Sequence, residues 1–127
     1  MGTRSLTFVY EDKEPLVNMY RQYDGYPSGH GAELAEFLDG MTVVNGFGEK
    51  RTKMANGMGC LAAQMIAYFK KEMGNHYLYP VTAKDCWQDY EYHVYEDKVI
   101  VKNWDQKIIF EGNWEDFKKF CSEEELA

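Results

Sequence analysis

The sequence has few cysteines and no long apolar run. Cys60, Cys86 and Cys121 stand far apart, without a CxxC pair or a cysteine–histidine cluster at zinc-ligand spacing. This pattern predicts reduced thiols, no metal site and no cofactor. No stretch approaches the roughly 18 apolar residues of a membrane span, and Met1 to Arg4 lead into a short strand-like run instead of an apolar signal segment. We therefore expect a cytoplasmic protein without a membrane partner.

Positive charge is also scarce. The 127 residues contain 14 lysines and arginines against 21 aspartates and glutamates, and 14 − 21 gives a formal net charge of −7. Such a chain lacks the basic footprint of duplex nucleic-acid binding. Apolar residues make up 45% and aromatic residues 16% of the chain, which is far from the composition of disordered proteins. We expect one globular domain over residues 1–127, and oligomer formation stays open.

The apolar periodicity predicts an α+β domain, in which two or three helices cover one face of a mostly antiparallel sheet. Alternation predicts an N-terminal hairpin over residues 5–10 and 16–23, and a C-terminal meander over residues 77–81, 90–95, 99–104 and 108–111. A helical period predicts helices over residues 32–39, 58–69 and 114–124, the last after an Asn113 N-cap. Residues 41–59 are glycine-rich and predict a long loop. Parallel pairing between hairpin and meander stays open, because the helices between them could form a crossover.

The chemically richest stretch is YRQYDGYPSGHG at residues 20–31, at a strand end and a helix start. Glycines and unpaired backbone N–H groups suit an anion there. An arginine can clamp a phosphate, a histidine can exchange a proton, and tyrosine rings can stack on a base. We therefore predict a ligand site in this loop, with His30 as the candidate catalytic residue; its members are Arg21, Tyr23, Asp24, Tyr26, Ser28 and His30. A structural role also fits, because the loop's glycines and proline shape turns and Ser28 or His30 can cap the helix.

A second glycine-rich stretch adds positive charge to this prediction. Lys50, Arg51 and Lys53 lie between two glycine pairs, just before the second predicted helix. If this stretch meets the 20–31 loop, the cations surround one positive basin that suits a nucleotide. Taken singly, each of the three is more typical of the solvated tip of a loop.

Arg4 completes the set of candidate ligand residues. It precedes the first strand, and hairpin pairing would bring it to the Arg21 end of the sheet, near Asp24. It could clamp the same ligand as Arg21. It could instead pair with Asp24, which would explain both motifs without any ligand.

The start GTRSLT at residues 2–7, followed by a short hairpin and the YRQYDGYPSGHG loop, resembles a recurring group of small proteins encoded by bacteriophages and prophage-like regions. The likeness covers about the first forty residues. It implies a phage accessory protein acting in the host cytoplasm, and it carries no catalytic residue over. Such proteins often inhibit host defence by sequestering or degrading a nucleotide signal, or by binding a defence protein.

Three functions follow from these observations. The first is binding of a nucleotide or another phosphate-bearing small ligand, as a counter-defence protein without catalysis. The second is a protein–protein interaction module that inhibits a host defence protein through an acidic and aromatic surface. The third is a small enzyme that acts on a nucleotide with His30 as acid or base. An exposed cluster of tryptophan or tyrosine on the meander would favour the second.

Overall fold

A computed structural model describes residues 2–46 and 53–124 of the chain. Within these residues, a six-stranded β-sheet carries three α-helices on one face, which confirms the α+β class. The strands are β1 (Ser5–Glu11), β2 (Glu14–Arg21), β3 (Thr42–Val44), β4 (Met54–Asn56), β5 (His76–Tyr79), β6 (Tyr90–Val94), β7 (Val99–Asn103) and β8 (Ile108–Gly112). The helices are α1 (Ala32–Leu38), α2 (Gly57–Phe69) and α3 (Trp114–Glu124), and a π-helical turn at Pro27–Gly31 precedes α1.

The centre of the sheet is a parallel pair. The strand order is β5-β2-β1-β6-β7-β8, and of the neighbouring pairs described in this sheet only β1 and β6 run parallel, with Phe8 opposite His93. The open question of how hairpin and meander pair is thereby answered. Because β1 occupies the free edge of β6, the first predicted meander strand cannot pair there. It is β5, which pairs antiparallel with β2 at the sheet edge, with Leu78 opposite Met19.

The predicted long loop over residues 41–59 is partly wrong. It contains β3 and β4, which pair in parallel as a separate small sheet, with Val43 opposite Ala55. Strands of three residues are too short to show an alternating pattern. Gly46 and Gly57 follow the ends of these two strands. Their φ angles of 97° and 80° lie in the left-handed region that favours glycine, which lets the chain turn there. The second helix begins at Gly57.

The helix face of the sheet holds the main core. Alternate strand residues point to this face and pack against the three helices. The largest fully buried side chains in this core are Val9, Met19, Leu34, Leu38, Leu61, Met65, Tyr92, Val94, Val99 and Phe117. The Tyr92 hydroxyl donates a hydrogen bond to the carbonyl oxygen of Gly25 at 2.7 Å, which ties the 20–31 loop to the sheet. In the described chain, no helix has the length and apolarity needed to cross a bilayer.

The opposite face of the sheet, called the open face below, carries the remaining strand residues. Leu6, Phe8 and Tyr20 form a small buried cluster on it. Residues 80–89, called the covering segment below, cross part of this face. Cys86 packs on the cluster, and the Asn18 amide nitrogen donates a hydrogen bond to the carbonyl oxygen of Pro80 at 3.1 Å. No helix of the described residues covers the rest of the open face.

The N-cap predicted for the closing helix is present, because Asn113 Oδ1 accepts a hydrogen bond from the Asp116 backbone N–H at 2.8 Å. We expect Asn113→Ala to lower the free energy of unfolding by about 1 kcal/mol, measured by urea denaturation. Asn113→Asp keeps an acceptor at the same position and is expected to unfold near the wild-type midpoint. An alanine variant as stable as the wild type would contradict the role of the cap.

Candidate functional site

The structure brings Arg21 and His30 together, but within the core. Arg21 points to the helix face of β2 and is only 6% exposed. Its Nε donates to the carbonyl oxygen of Tyr23 at 2.6 Å, and its Nη1 lies 2.8 Å from Glu33 Oε2. Arg21 Nη1 also lies 3.3 Å from His30 Nδ1. The Arg21 guanidinium therefore joins the loop, the buried histidine and the first helix, a structural role that the sequence analysis did not assign to it.

His30 is fully buried, and both of its ring nitrogens have partners. Nε2 lies 2.7 Å from Thr7 Oγ1, and Nδ1 accepts from Arg21. Burial, then the charge of Arg21, then His76 lower the pKa of His30 well below its usual value, so the ring is neutral. An acid or base must reach the ligand whose proton it moves. The prediction of His30 as the catalytic residue is therefore corrected, since the ring is enclosed by the core.

The glycines of the 20–31 loop are explained by close packing. A Cβ atom on Gly25 would lie 2.8 Å from the carbonyl oxygen of Thr3, and one on Gly29 would lie 2.6 Å from the carbonyl oxygen of Asp24. The Gly25 N–H also donates to the carbonyl oxygen of Thr3 at 2.8 Å. These positions need glycine because the loop lies directly against the start of β1 and against itself.

The other predicted loop residues lie at the surface. Tyr23, Asp24 and Tyr26 are exposed, and Ser28 is half-buried. The Tyr26 hydroxyl donates to Asp24 Oδ1 at 3.3 Å. A ligand role for these four residues stays a prediction, without the arginine clamp that motivated it.

Arg4 acts on the open face of the sheet. Its backbone N–H donates to Asp89 Oδ2 at 3.0 Å, and its charge acts on Tyr20, on the open face. Among the ion pairs of the described residues, none joins Arg4 to Asp24, so the predicted pair between them is wrong.

Lys53 does not contribute to the predicted positive basin. Its Nζ donates to the carbonyl oxygens of Glu36, Phe37 and Asp39 at 2.9, 3.1 and 2.8 Å, where α1 ends. Carbonyl groups at a helix C-terminus lack intrahelical partners, and an ammonium group satisfies them. Lys50 and Arg51, the other two cations of this stretch that are predicted to bind the ligand, lie outside the described residues.

A cleft that the sequence did not predict lies on the open face. Its volume is about 770 Å³, within the range of small-molecule sites. Its floor is formed by β1 and β6, one wall by the covering segment, and the other wall by β7 and the β7–β8 turn. The lining residues used below are Phe8, Tyr10, Lys84, Gln88, Glu91, His93, Lys102, Trp104 and Gln106.

A chain of hydrogen bonds crosses the floor of this cleft. Glu91 Oε1 lies 3.0 Å from His93 Nε2, and Tyr10 Oη lies 2.7 Å from His93 Nδ1. The second carboxylate oxygen, Oε2, accepts from the side-chain amides of Gln88 at 2.8 Å and Gln106 at 2.7 Å. Because a carboxylate only accepts, His93 donates from Nε2, and Nδ1 is left to accept from the Tyr10 hydroxyl. The wall residues and the floor are thus joined at one carboxylate.

The charge of Glu91 is stabilised by these donors. Burial would raise the pKa of Glu91, but hydrogen bonds from His93, Gln106 and Gln88 outweigh it and lower the pKa to about 2. Tyr10 behaves in the opposite way, because burial, Tyr95 and Glu91 raise the pKa of its phenol. Glu91 is therefore an ionised carboxylate and Tyr10 a protonated hydroxyl, and His93 lies between them.

Aromatic rings line the same floor. The Phe8 and His93 rings are stacked with centroids 5.0 Å apart and planes 6° from parallel. The Tyr10 ring is stacked at 4.4 Å and 9° on the ring of Tyr95, which does not itself line the cleft. Trp104 stands at the rim with 71% of its surface exposed. The cleft can therefore offer ring faces and hydrogen-bonding groups to one ligand.

One part of this cleft could have been found in the sequence. In the strand Tyr90–Val94, alternation places Glu91 and His93 together on the face opposite Tyr92 and Val94. Two polar, titratable residues on one strand face were a usable signal. The contribution of Tyr10 could not be predicted from the sequence, because it depends on the parallel pairing of two strands that are distant in sequence.

The buried carboxylate makes stability depend on pH. The pKa of Glu91 is about 2 in the folded protein against 4.5 ordinarily, so its stabilising contribution is complete above about pH 5 and is lost as the pH falls toward 2. We expect Glu91→Gln to lower the free energy of unfolding by about 2–3 kcal/mol at pH 7, and by clearly less at pH 3.5. Urea denaturation at both pH values measures this difference.

Glu111→Gln is the matched control, because Glu111 is exposed and pairs with Lys98 at the surface. Its effect is expected to be small at both pH values. A Glu91→Gln deficit that is the same at pH 7 and pH 3.5 would contradict the assignment of a buried, ionised carboxylate.

The core position of His30 gives a second stability prediction. His30→Ala would leave a cavity and remove the partner of Thr7 and Arg21, so we expect the free energy of unfolding to fall by about 2–4 kcal/mol in urea denaturation. Ser28→Ala, in the same loop, is expected to change it by less than about 0.5 kcal/mol. A His30→Ala variant that unfolds at the wild-type urea concentration would show that His30 is not part of the core.

Comparison with known proteins returns no relative. No protein-family model, curated protein or solved structure matches this chain. No group of three or more histidine, cysteine, aspartate or glutamate side chains in the described residues is arranged to hold a metal ion. The open-face cleft is therefore the feature from which we infer a function.

Proposed function

We propose that the protein binds a nucleotide, or a similar planar small molecule that bears phosphate, in the open-face cleft. The observation that carries the proposal is the cleft of about 770 Å³, in which stacked aromatic rings lie beside hydrogen-bonding side chains and two lysines. Every nucleobase has a flat π-face that stacks on aromatic side chains. The proposal keeps the ligand class expected from the sequence and moves its site to the other face of the sheet.

The position of Trp104 supports stacking. It is an unusually exposed aromatic side chain that stands at the edge of the cleft, beside Gln106 in the β7–β8 turn. A base that enters the cleft can be covered by the indole ring, which would bury apolar surface of both partners. Gln106, held by Glu91, can offer its remaining amide groups to the edge of the base.

The charge around the cleft supports a phosphate group. Lys84 on the covering segment and Lys102 on β7 both line it, and neither forms an ion pair with any described residue. Two ammonium groups without partners stand out in a chain of net charge −7. An ammonium group binds phosphate as a point charge, and the carboxylates of Asp85 on the same wall and Glu91 on the floor limit how much negative charge the cleft accepts. A monophosphate or a phosphodiester suits this balance.

Binding in this cleft would lower the free concentration of the ligand. This agrees with the resemblance of residues 2–7 and 20–31 to phage-encoded accessory proteins, which often inhibit host defence. We propose that, in this role, the protein would sequester a nucleotide signal in the host cell.

A second candidate function is protein–protein interaction at the β5 edge of the sheet. One edge of β5 is unpaired in the described sheet, and exposed apolar side chains surround it, namely Met73, Tyr77 and Leu78. An exposed edge strand can pair with an extended segment of another protein. This favours the interaction module that the sequence left as an alternative, on a surface separate from the cleft.

Trp104 allows a direct test of the cleft. We expect isothermal titration with the four ribonucleoside 5′-monophosphates to detect binding of at least one, and Trp104→Ala to weaken it about 5- to 150-fold through loss of stacking. Trp87→Ala is the control, because Trp87 is 81% exposed on the covering segment and does not line the cleft. No binding of any nucleotide, or an equal loss in both variants, would contradict the proposal and favour the β5 edge.

A further inference from the structure

The chain Tyr10–His93–Glu91 has the order of a proton relay. A hydroxyl, an imidazole and a carboxylate are joined by contacts of 2.7 and 3.0 Å. This order recurs on unrelated folds where a histidine takes a proton from a hydroxyl while a carboxylate orients the ring and stabilises the imidazolium that forms. It is recognised by geometry and by the role of each group. We propose that this relay makes the open-face cleft a general-base centre that cleaves a phosphodiester bond in its nucleotide ligand.

This inference rests on the proposed function, since the relay needs a ligand in the same cleft. The proton movement follows from the contacts. An attacking hydroxyl, from water or from the ligand's ribose, gives its proton to Tyr10 Oη as Tyr10 gives its own to His93 Nδ1. The attacking oxygen forms a bond to phosphorus and the ester oxygen leaves. The proton then returns from His93 through Tyr10 to the leaving oxygen, so no other reactant is consumed.

The contacts of His93 require that the proton pass through Tyr10. All three side chains line the cleft, but both ring nitrogens of the buried His93 and both oxygens of the buried Glu91 have partners, whereas Tyr10 is only half-buried. Tyr10 is therefore the catalytic residue of the proposal, and His93 and Glu91 are positioning residues that act through it. Because burial keeps the phenol protonated, the two proton transfers occur together and no free phenolate forms.

The groups around His93 allow it to accept a proton and to release it again. On its own strand, Glu91 Oε1 faces Nε2 and holds the ring in one tautomer. From β1, Tyr10 faces Nδ1 and Phe8 stacks on the ring, while the Tyr95 ring stacks on Tyr10. The other charged groups of the cleft are Lys84 and Asp85 on the covering segment and Lys102 on β7. The lysines can stabilise the charge that develops on the phosphate as the ester bond breaks.

A purely structural network would not require this composition. A carboxylate that is taken out of water is costly, and apolar residues of similar volume often stabilise a fold equally well. Here the carboxylate is kept with three donors, and it is aimed through an imidazole at the one hydroxyl that reaches the cleft. The relay thus ends at the proposed ligand.

The test separates binding from turnover. Wild-type protein is incubated with three phosphodiesters, 3′,5′-cyclic AMP, 3′,5′-cyclic GMP and the dinucleotide ApA, and the products are followed by liquid chromatography. We expect cleavage of at least one probe. Tyr10→Phe is expected to lower kcat about 100-fold or more, with affinity for that probe changed less than threefold by isothermal titration.

A pH profile tests the positioning residues. A general base acts only when it is unprotonated, so the rate should fall on the acidic side. Glu91→Gln is expected to lower kcat and to move this acidic limb to lower pH, because a neutral amide holds an imidazolium less well than a carboxylate does. A merely structural role of Glu91 would leave the limb in place. His76→Gln is the control, because His76 lies on β5 and does not line the cleft.

The results test the proton relay and the binding proposal separately. Binding of the probes without cleavage, or cleavage that Tyr10→Phe does not slow, would overturn the relay and leave the binding proposal intact. The absence of binding to all nucleotides and phosphodiesters would overturn the proposed function itself. Circular dichroism and urea denaturation of each variant identify a loss that is due to unfolding.

Discussion

The parallel pairing of β1 with β6 is the constraint on which the rest of the structure depends. Two parallel strands need a crossover connection, and here that connection carries α1 and α2. The crossover places both helices on the same side of the sheet. Because parallel partners present their side chains at the same level, Val9 and Val94 face the helices together, while Phe8 and His93 face the open side together. One register therefore builds both the core and the floor of the cleft.

The two faces use polar groups in different ways. On the helix face, Arg21 and His30 are enclosed and join the 20–31 loop to the first helix. On the open face, Glu91 gathers donors from three separate elements and leaves Tyr10 at the surface of a cleft. The first arrangement stabilises a loop. The second connects a buried charge to a place where a ligand can lie, which is why the proposed function belongs there.

Local features of the fold could be predicted from the sequence. The hairpin follows from alternation and the three helices from apolar spacing, and the Asn113 cap follows from residue type. The parallel pair, the edge position of β5 and the small β3–β4 sheet could not, because each depends on contacts between distant segments. Three-residue strands among glycines also carry no periodic signal.

The site was harder to predict than the fold. The 20–31 loop has the composition of a ligand site, but composition does not show burial, and His30 points inward. Its glycines are required by packing against Thr3 and Asp24. The shared face of Glu91 and His93 was visible as an i, i+2 spacing. The proximity of Tyr10 to them was not, because it arises from the β1–β6 register.

The most direct test of the central claim is a map of where a nucleotide binds. The amide and aromatic NMR signals of the protein are compared with and without AMP, and the shifted residues are placed on the structure. The account predicts that the changes cluster around Phe8, Tyr10, His93, Lys102 and Trp104 on the open face. Changes that cluster at residues 21–31 instead would contradict it, and would return the ligand to the loop that the sequence first indicated.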